Sequence, residues 1–282
     1  MRATPSRPHR PGLTLIELIV VLMILVALAG MLIPLLPSML TRAHVSAHTT
    51  NVVELAKAVS TYQSLNNGYP DQWDSLTDGT NLVNYLPGGA LDPQTPPAGG
   101  QAAGQLTGST PTQAELTALN NAGITKVHLM VKSSGTTPWD GNAFDPTFDY
   151  YSGQPNAPTT ISTGTNLAFL DPANNAAAMT LLQSNYPSWS TTARYVVLGI
   201  GPRCTLIGRG AVTCPVHFGD NPAISPENGY GRFCAIFKVS DTAAPGGINN
   251  AVLVGIAPIH DVGLIGLDGE FQNWYQINNG GS

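Results

Sequence analysis

Charged residues are scarce in this chain, and basic residues are scarcer than acidic ones. Lysine and arginine number 12, aspartate and glutamate number 17, and together they make up 10% of the 282 residues. Three of the basic residues, Arg2, Arg7 and Arg10, precede Gly12, which leaves 9 for the rest of the chain. Proteins that bind a nucleic-acid backbone neutralise its phosphates with lysine and arginine, so we expect no nucleic-acid partner.

Sequence motifs of common enzyme classes are also lacking. The chain contains no G-x-S-x-G, no H-E-x-x-H, no P-loop and no G-x-G-x-x-G after a strand. The adjacent pair His260 and Asp261 is more typical of a surface loop than of a catalytic pair. His44 and His48 have a spacing that can bind a metal on a helix, but no third ligand is near in the sequence, so we expect a solvated helix face. We therefore expect no enzymatic activity.

Cysteine is rare as well, with three residues in the chain. Cys204 and Cys214 flank a short segment, CTLIGRGAVTC, that could close as a hairpin with a disulfide in an oxidising compartment, which leaves Cys234 over. The alternative is that all three are small buried apolar side chains. The 30 glycines and 23 prolines indicate a loop-rich, β-rich extracytoplasmic domain.

One long apolar run follows the basic amino-terminal residues. It extends over residues 13–40, and residues 18–36 are about long enough to span a bilayer as a helix. The preceding arginines place the amino terminus inside and the bulk of the chain outside. Two simple interpretations are a secretory signal peptide, with an A-x-A site at residues 27–29, and a plain single-span anchor. Neither needs the carboxylate of Glu17, which is costly at membrane depth without a partner.

The stretch GLTLIELIVVLMILVALAG resembles the amino-terminal signal of type IV pilins and type II secretion pseudopilins. The resemblance implies that the prepilin peptidase cleaves after Gly12 and methylates the new amino terminus at Leu13, a position where phenylalanine is commoner. It implies that Glu17, the fifth mature residue, pairs with the amino-terminal ammonium of a neighbouring subunit, so that its charge is compensated. Pro34 matches the proline of the family, where the helix can loosen when subunits stack.

The apolar run continues into an amphipathic helical pattern. Val45, Val52 and Val59 recur every seven residues, as do Leu55 and Tyr62. The resemblance implies a leader over residues 1–12. The helical pattern predicts one long helix over residues 13–66 that ends at an Asn-Asn-Gly signal, followed by a globular domain over residues 67–282. Residues 86–111 are rich in proline and glycine and predict a surface loop or insertion.

Two stretches after the helix are similar to pseudopilins: the turn Asn67-Gly68-Tyr69-Pro70 and the segment PWDGNAFDPTFDYYSG at residues 138–153. Residues 112–115 form a capping-box sequence that predicts a short helix, and another helix is predicted from Asp171. The whole pattern predicts an α+β fold, in which a helix lies across a mostly antiparallel sheet, as in the pilin fold. The predicted strands are residues 126–132, 194–200, 232–239, 251–256 and 271–277.

Two acidic loops have the oxygen-rich composition that Ca²⁺ prefers. Solvated turn residues are the alternative for both, since neither has the spacing of an EF-hand. The second, in LIGLDGEFQNW, is similar to the calcium-bearing end of major pseudopilins. The candidate ligands are Asp140, Asn142, Asp145 and Asp149 in the first loop, and Asp268, Glu270 and Asn273 in the second.

The resemblance implies a structural subunit of a type II secretion pseudopilus or of a type IV pilus. Such a subunit is anchored in the inner membrane by a single span, with its carboxy-terminal domain outside the cytoplasm. Its partners are further copies in a helical filament, other pilin-like subunits, the prepilin peptidase, and the assembly platform with its ATPase. The alternative is a Sec-exported or single-span anchored binding domain that works alone.

Overall fold

In the computed structural model of the chain, the described residues are 15–33, 36–83, 86, 105–131, 157–170, 172, 179, 181–183, 186, 189–217, 230–241, 247–260 and 263–264. Contacts divide the chain into two compact units, residues 1–43 and residues 44–282.

The described residues form three helices and nine strands. In chain order they are α1 (Leu15–Leu32), α2 (Leu36–Asn66), β1 (Trp73–Asp74), β2 (Thr107–Ser109), α3 (Gln113–Asn121), β3 (Lys126–His128), β4 (Thr159–Thr160), β5 (Leu167–Leu170), β6 (Arg194–Gly199), β7 (Phe233–Ser240), β8 (Val252–His260) and β9 (Gly263–Leu264).

Helix is described over two stretches of the range 13–66, and the prediction of one continuous helix over that range stays a prediction. The first ends at Leu32 and the second begins at Leu36. Pro34 lies between them in the sequence, and proline has no backbone N–H to donate to a helix. Pro34 itself lies outside the described residues. The second helix ends at the predicted Asn-Asn-Gly signal, where Asn67 adopts a positive φ of 53°.

The α2 helix packs on the globular domain through one stripe of buried side chains. Their spacing alternates between four and three residues, which keeps them on one side of a helix. The heptad pattern of valines, leucine and tyrosine predicted most of this stripe, but it did not include the histidine that begins it. The buried members are His48, Val52, Leu55, Val59 and Tyr62.

The globular domain is built on one mixed, mostly antiparallel sheet, which confirms the α+β class. The strand order is β4-β3-β1-β6-β7-β8-β9, and β5 pairs with β6 and with β2. The pair β1 and β3 runs parallel, while the other described pairs run antiparallel. The central strands β6, β7 and β8 pair along most of their lengths.

Both faces of the sheet are covered, so its central strands are apolar throughout. On β6, Val196 and Leu198 face the core that contains α2 and α3, whereas Tyr195 and Val197 face a second core. Successive side chains of a strand point to opposite faces, so two covered faces produce a continuous apolar run. The run at 194–200 was recognisable as a strand for this reason.

Four of the predicted strands are confirmed with shifted ends, and several short strands were not predicted. The strands β3, β6, β7 and β8 correspond to the predictions that begin at residues 126, 194, 232 and 251. The expected insertion over residues 86–111 ends earlier than predicted, because Thr107–Ser109 pairs with β5. The predicted strand at 271–277 and most of the predicted helix after Asp171 lie outside the described residues, although residues 181–183 are helical.

The capping box of α3 is confirmed and is tied to the sheet by a buried ion pair. Thr112 accepts from the backbone N–H of Glu115, and Glu115 accepts from the backbone N–H of Thr112. The Arg194 guanidinium on β6 lies 2.9 Å from both carboxylate oxygens of Glu115 and 4.3 Å from the centre of the Phe169 ring. Glu115 is fully buried, so the pair fixes the start of α3 on the strand below it.

A second buried polar cluster surrounds the carboxylate of Asp74. Tyr230 donates a hydrogen bond of 2.8 Å to that carboxylate. A Cβ at Gly201 would lie 2.4 Å from both carboxylate oxygens, so only glycine leaves room for them. The charge of Asp74 contributes to raising the pKa of all three cysteine thiols, although burial is the larger cause.

The three cysteines are free thiols in the structure, and the possible Cys204–Cys214 disulfide stays a prediction. Cys204 and Cys234 are buried in the core, as the alternative interpretation expected. The Cys214 thiol donates to the Ile200 carbonyl oxygen at 2.9 Å and accepts from the Arg232 guanidinium at 2.8 Å. Burial raises the pKa of the Cys214 thiol to about 11, although Arg232 lowers it.

The Arg194–Glu115 pair makes a specific contribution to stability. We expect Arg194→Met to lower the free energy of unfolding by about 3 kcal/mol, because it leaves a buried carboxylate without its cation. Urea unfolding of the full chain in detergent micelles, followed by the fluorescence of the buried Trp73, measures this loss. The matched control is Arg209→Met at an exposed turn, where we expect less than about 0.5 kcal/mol. Equal stability of Arg194→Met and the parent chain would contradict the assignment.

The raised pKa values predict slow labelling of the folded thiols. At pH 8 we expect a maleimide to modify none of the three cysteines at the rate of an exposed thiol, because the reactive thiolate is scarce. In urea without reductant all three become reactive, and intact mass spectrometry counts the labels. Recovery of a chain with one label and a Cys204–Cys214 bond would show that the disulfide forms after all.

Candidate functional site

The α1 helix presents an apolar surface that nothing in its own unit covers. No residue of α1 is buried, and its large apolar side chains are between 48% and 76% exposed. An apolar surface of this extent, on every side of one helix, marks a contact with lipid or with another protein. Its 18 residues rise about 27 Å, close to the thickness of a bilayer core. Among the described residues, α1 is the helix that is long and apolar enough to cross a membrane.

Glu17 is the one charged side chain of α1 and lies in its first turn. The other residues of this helix are leucine, isoleucine, valine, methionine, alanine and glycine. A carboxylate near a helix amino terminus is favoured by the helix dipole, which offsets a small part of the cost of a charge in apolar surroundings. The processing residues Gly12 and Leu13 lie outside the described residues, as does Pro34.

Where α2 meets the domain, the structure brings together residues that are distant in the sequence. The hydroxyl of Tyr62 donates to the Thr205 hydroxyl at 3.4 Å, and that hydroxyl accepts from the backbone N–H of Asp71 at 2.7 Å. The segment 204–217 therefore packs along the buried side of α2. These contacts fix the helix on the sheet through the loop that precedes Cys214.

The prediction of a solvated face for His44 and His48 is wrong for His48. Its side chain is 2% exposed and lies against His217, with 4.1 Å between the ring centres. His48 lies seven residues before Leu55 in the heptad pattern, so its burial was visible in the sequence. The contact of His217 with His48 was not visible in the sequence, because two residues so far apart leave no local signal. No group of three potential metal ligands occurs within the described ranges.

A groove of about 500 Å³ lies between α2 and the turn at residues 208–213. Its polar lining includes Asn51, Glu54 and Lys57 from α2. No histidine or cysteine is among the described residues that line it, so they offer neither an imidazole base nor a thiol nucleophile. The groove thus offers a partly polar surface beside α2.

The remaining candidates have no described geometry. The backbone of His260 lies at the end of β8, but Asp261 lies outside the described residues. The same holds for every candidate calcium ligand, and calcium binding stays a prediction. These ligands are Asp140, Asn142, Asp145, Asp149, Asp268, Glu270 and Asn273.

Comparison with known proteins bears on the amino-terminal segment. Residues 7–33 match the family model of the prokaryotic N-terminal methylation motif. No curated protein and no solved structure matches the chain. The matched segment contains α1 and Glu17, so the motif and the exposed apolar helix coincide. Residues 7–33 therefore carry the signature of type IV pilins and pseudopilins, which marks the chain as a pilin-like substrate of the prepilin peptidase.

Proposed function

We propose that this chain is a structural subunit of a type II secretion pseudopilus or a related type IV filament. The observation that carries the proposal is the coincidence of the methylation motif at residues 7–33 with a helix that is apolar on every side and exposed in its own unit. A helix of this kind suits an inner-membrane anchor before assembly and a packed bundle of helices afterwards. In this proposal the helix carries the contacts of assembly and presents the globular domain, and the ATPase that drives assembly is another protein.

Glu17 supplies the specific contact in this proposal. Cleavage after Gly12 creates an ammonium group on Leu13, in an otherwise apolar environment. A carboxylate and an ammonium that meet between neighbouring copies compensate each other, whereas either one alone is costly. Assembly is therefore favoured in the register that brings Glu17 of one copy to the amino-terminal ammonium of another.

The globular domain supports the secretion pseudopilus over a surface pilus. The turn Asn67-Gly68-Tyr69-Pro70, which resembles that of pseudopilins, is built into the fold. Tyr69 donates its backbone N–H to the Ala122 carbonyl oxygen at 2.7 Å. Its hydroxyl accepts from the Leu253 backbone N–H at 3.1 Å. The turn thus joins the end of α2 to α3 and to β8. A surface pilus is the alternative within the same class.

The contrasting proposal is an exported or anchored binding domain that acts alone. The groove beside α2 is the described feature that favours it, because it offers a surface on the globular domain. Such a domain makes no use of a carboxylate in its anchor. The two proposals therefore differ in what they require of Glu17.

Replacing Glu17 distinguishes them. We expect Glu17→Ala to abolish filaments in cells that carry the assembly machinery, because an uncompensated buried ammonium costs roughly 3 kcal/mol or more at each subunit contact. Electron microscopy of sheared filaments measures assembly, and immunoblotting of membranes measures the amount of processed subunit.

The matched control is Glu54→Ala, which removes an exposed glutamate from α2 and should leave assembly unchanged. Normal filaments from Glu17→Ala would contradict the proposed pairing. Loss of the subunit from the membrane would place the defect in insertion, and the conservative Glu17→Asp variant would then show whether a carboxylate alone restores assembly.

A further inference from the structure

The groove beside α2 combines an apolar lining with a charged border. It has a volume of about 500 Å³ and lies between α2 and the turn at residues 208–213. Val212 in this turn is 92% exposed, the highest exposure among the large apolar side chains of the described residues. An apolar patch with a polar border is the usual composition of a protein-binding surface. The apolar members of the lining are Leu55, Ala58, Ala211, Val212 and Pro215.

The turn comes close to α2 at Gly210. A Cβ at this position would lie 3.2 Å from the Ala58 carbonyl oxygen and 2.8 Å from the side chain of Leu206. Lys57 precedes Ala58 and Arg209 precedes Gly210, and both of these cations are exposed. Two side chains of like charge therefore flank the place where the turn meets the helix.

Neither cation has a partner in the part of the chain that the structure describes. The ion pairs of the domain there involve other cations, such as Arg194 and Lys238, and no hydrogen bond holds the side chain of Lys57 or Arg209. After Gly12 the chain has 9 basic residues against 17 acidic ones. An acidic chain that keeps two unpaired cations beside one groove is electrostatically complementary to another copy of itself.

We propose that the groove beside α2 is a docking surface for a second copy of this chain, whose acidic groups face Lys57 and Arg209. The inference rests on the proposed function, because the filament brings copies together, and it adds a contact that α1 and Glu17 do not supply. The groove and the acidic groups are different patches of one molecule, so the contact is heterologous and can repeat from copy to copy along a filament.

Glu54 also lines the groove, but it has the same charge as the incoming acidic groups. The attraction therefore comes from the two cations, and loss of the Glu54 carboxylate does not weaken it. The apolar lining contributes area that a neighbour removes from water. Val212 projects furthest into solvent and is the residue that a docked copy covers most.

Photo-crosslinking in filaments tests the contact directly. Val212 is replaced by benzoylphenylalanine in the full chain, in cells that carry the assembly machinery, and sheared filaments are irradiated. We expect covalent adducts of two copies of this chain, identified by mass spectrometry of the linked peptides. The matched control is the same replacement at Thr163, an exposed residue between β4 and β5, which should give few adducts. Adducts to a different protein only, or equal yields from the two positions, would overturn the proposal.

Charge reversal tests the two cations. We expect the double variant Lys57→Glu, Arg209→Glu to lower the amount of sheared filament about tenfold, because two attractive pairs become repulsive. The matched control Lys126→Glu reverses an exposed lysine of β3 that does not line the groove, and it should leave the amount within about twofold of the parent. Immunoblotting of membranes shows whether the processed variant is present. Parent amounts of filament from the double variant would overturn the proposal, and if that variant fails to fold, the crosslinking result decides.

The outcomes separate this docking surface from the function on which it rests. Normal filaments that yield no adducts from position 212 would overturn the docking surface alone. A parent chain that forms no filaments in the presence of the machinery would overturn both. Adducts between two copies, together with the loss of filaments in the double variant, would support both.

Discussion

An apolar helix with a single carboxylate cannot remain bare in water, and this constraint governs the amino-terminal segment of the molecule. Every side chain from Leu15 to Leu32 other than Glu17 is apolar or is glycine. Neither an ionised carboxylate nor so much apolar surface is stable without a partner. Lipid satisfies the apolar surface but not the carboxylate. A second helix with an amino-terminal ammonium satisfies both, which is why the methylation motif and the exposed helix support the same function.

The α2 helix has a different pattern of apolar residues from that of α1. Whereas α1 is apolar all round, α2 buries one stripe and leaves its other side polar. The stripe packs on a face of the sheet formed by alternate residues of β6 and β7. The opposite face carries its own core, so the sheet is covered on both sides. The two helices therefore differ in what they bury: α1 exposes its apolar side chains, whereas α2 holds the domain through its buried stripe.

Periodic and local patterns in the sequence predicted much of the fold. The heptads of α2, the Asn-Asn-Gly stop and the capping box of α3 depend on residues within two turns of one another. The apolar runs of β6 and β7 are long enough to recognise. In contrast, Trp73–Asp74 forms a strand of two residues whose parallel pairing with Lys126–His128 leaves no periodic signal. Leu167–Leu170 is also buried at every position, but a run of four residues is too short to recognise as a strand.

The polar contacts that join distant segments were the least predictable part of the site. Arg194 and Glu115 are 79 residues apart, and nothing in either local sequence indicates their partner. His217 and Tyr230 are similar cases. His48 lies at a heptad position of the α2 stripe, but it was predicted to be solvated, and that prediction was wrong. In contrast, the amino-terminal motif and its carboxylate lie within one short stretch, so both could be recognised from the sequence alone.

The mature amino terminus of the protein from native membranes is the most direct test of the central claim. Mass spectrometry of the amino-terminal peptide should find a chain that begins at Leu13 and carries one methyl group on its nitrogen. That result would establish the ammonium for which Glu17 is placed. A chain that begins at Gly30, after the A-x-A site, would contradict the account, because α1 would then be removed and no filament helix would remain.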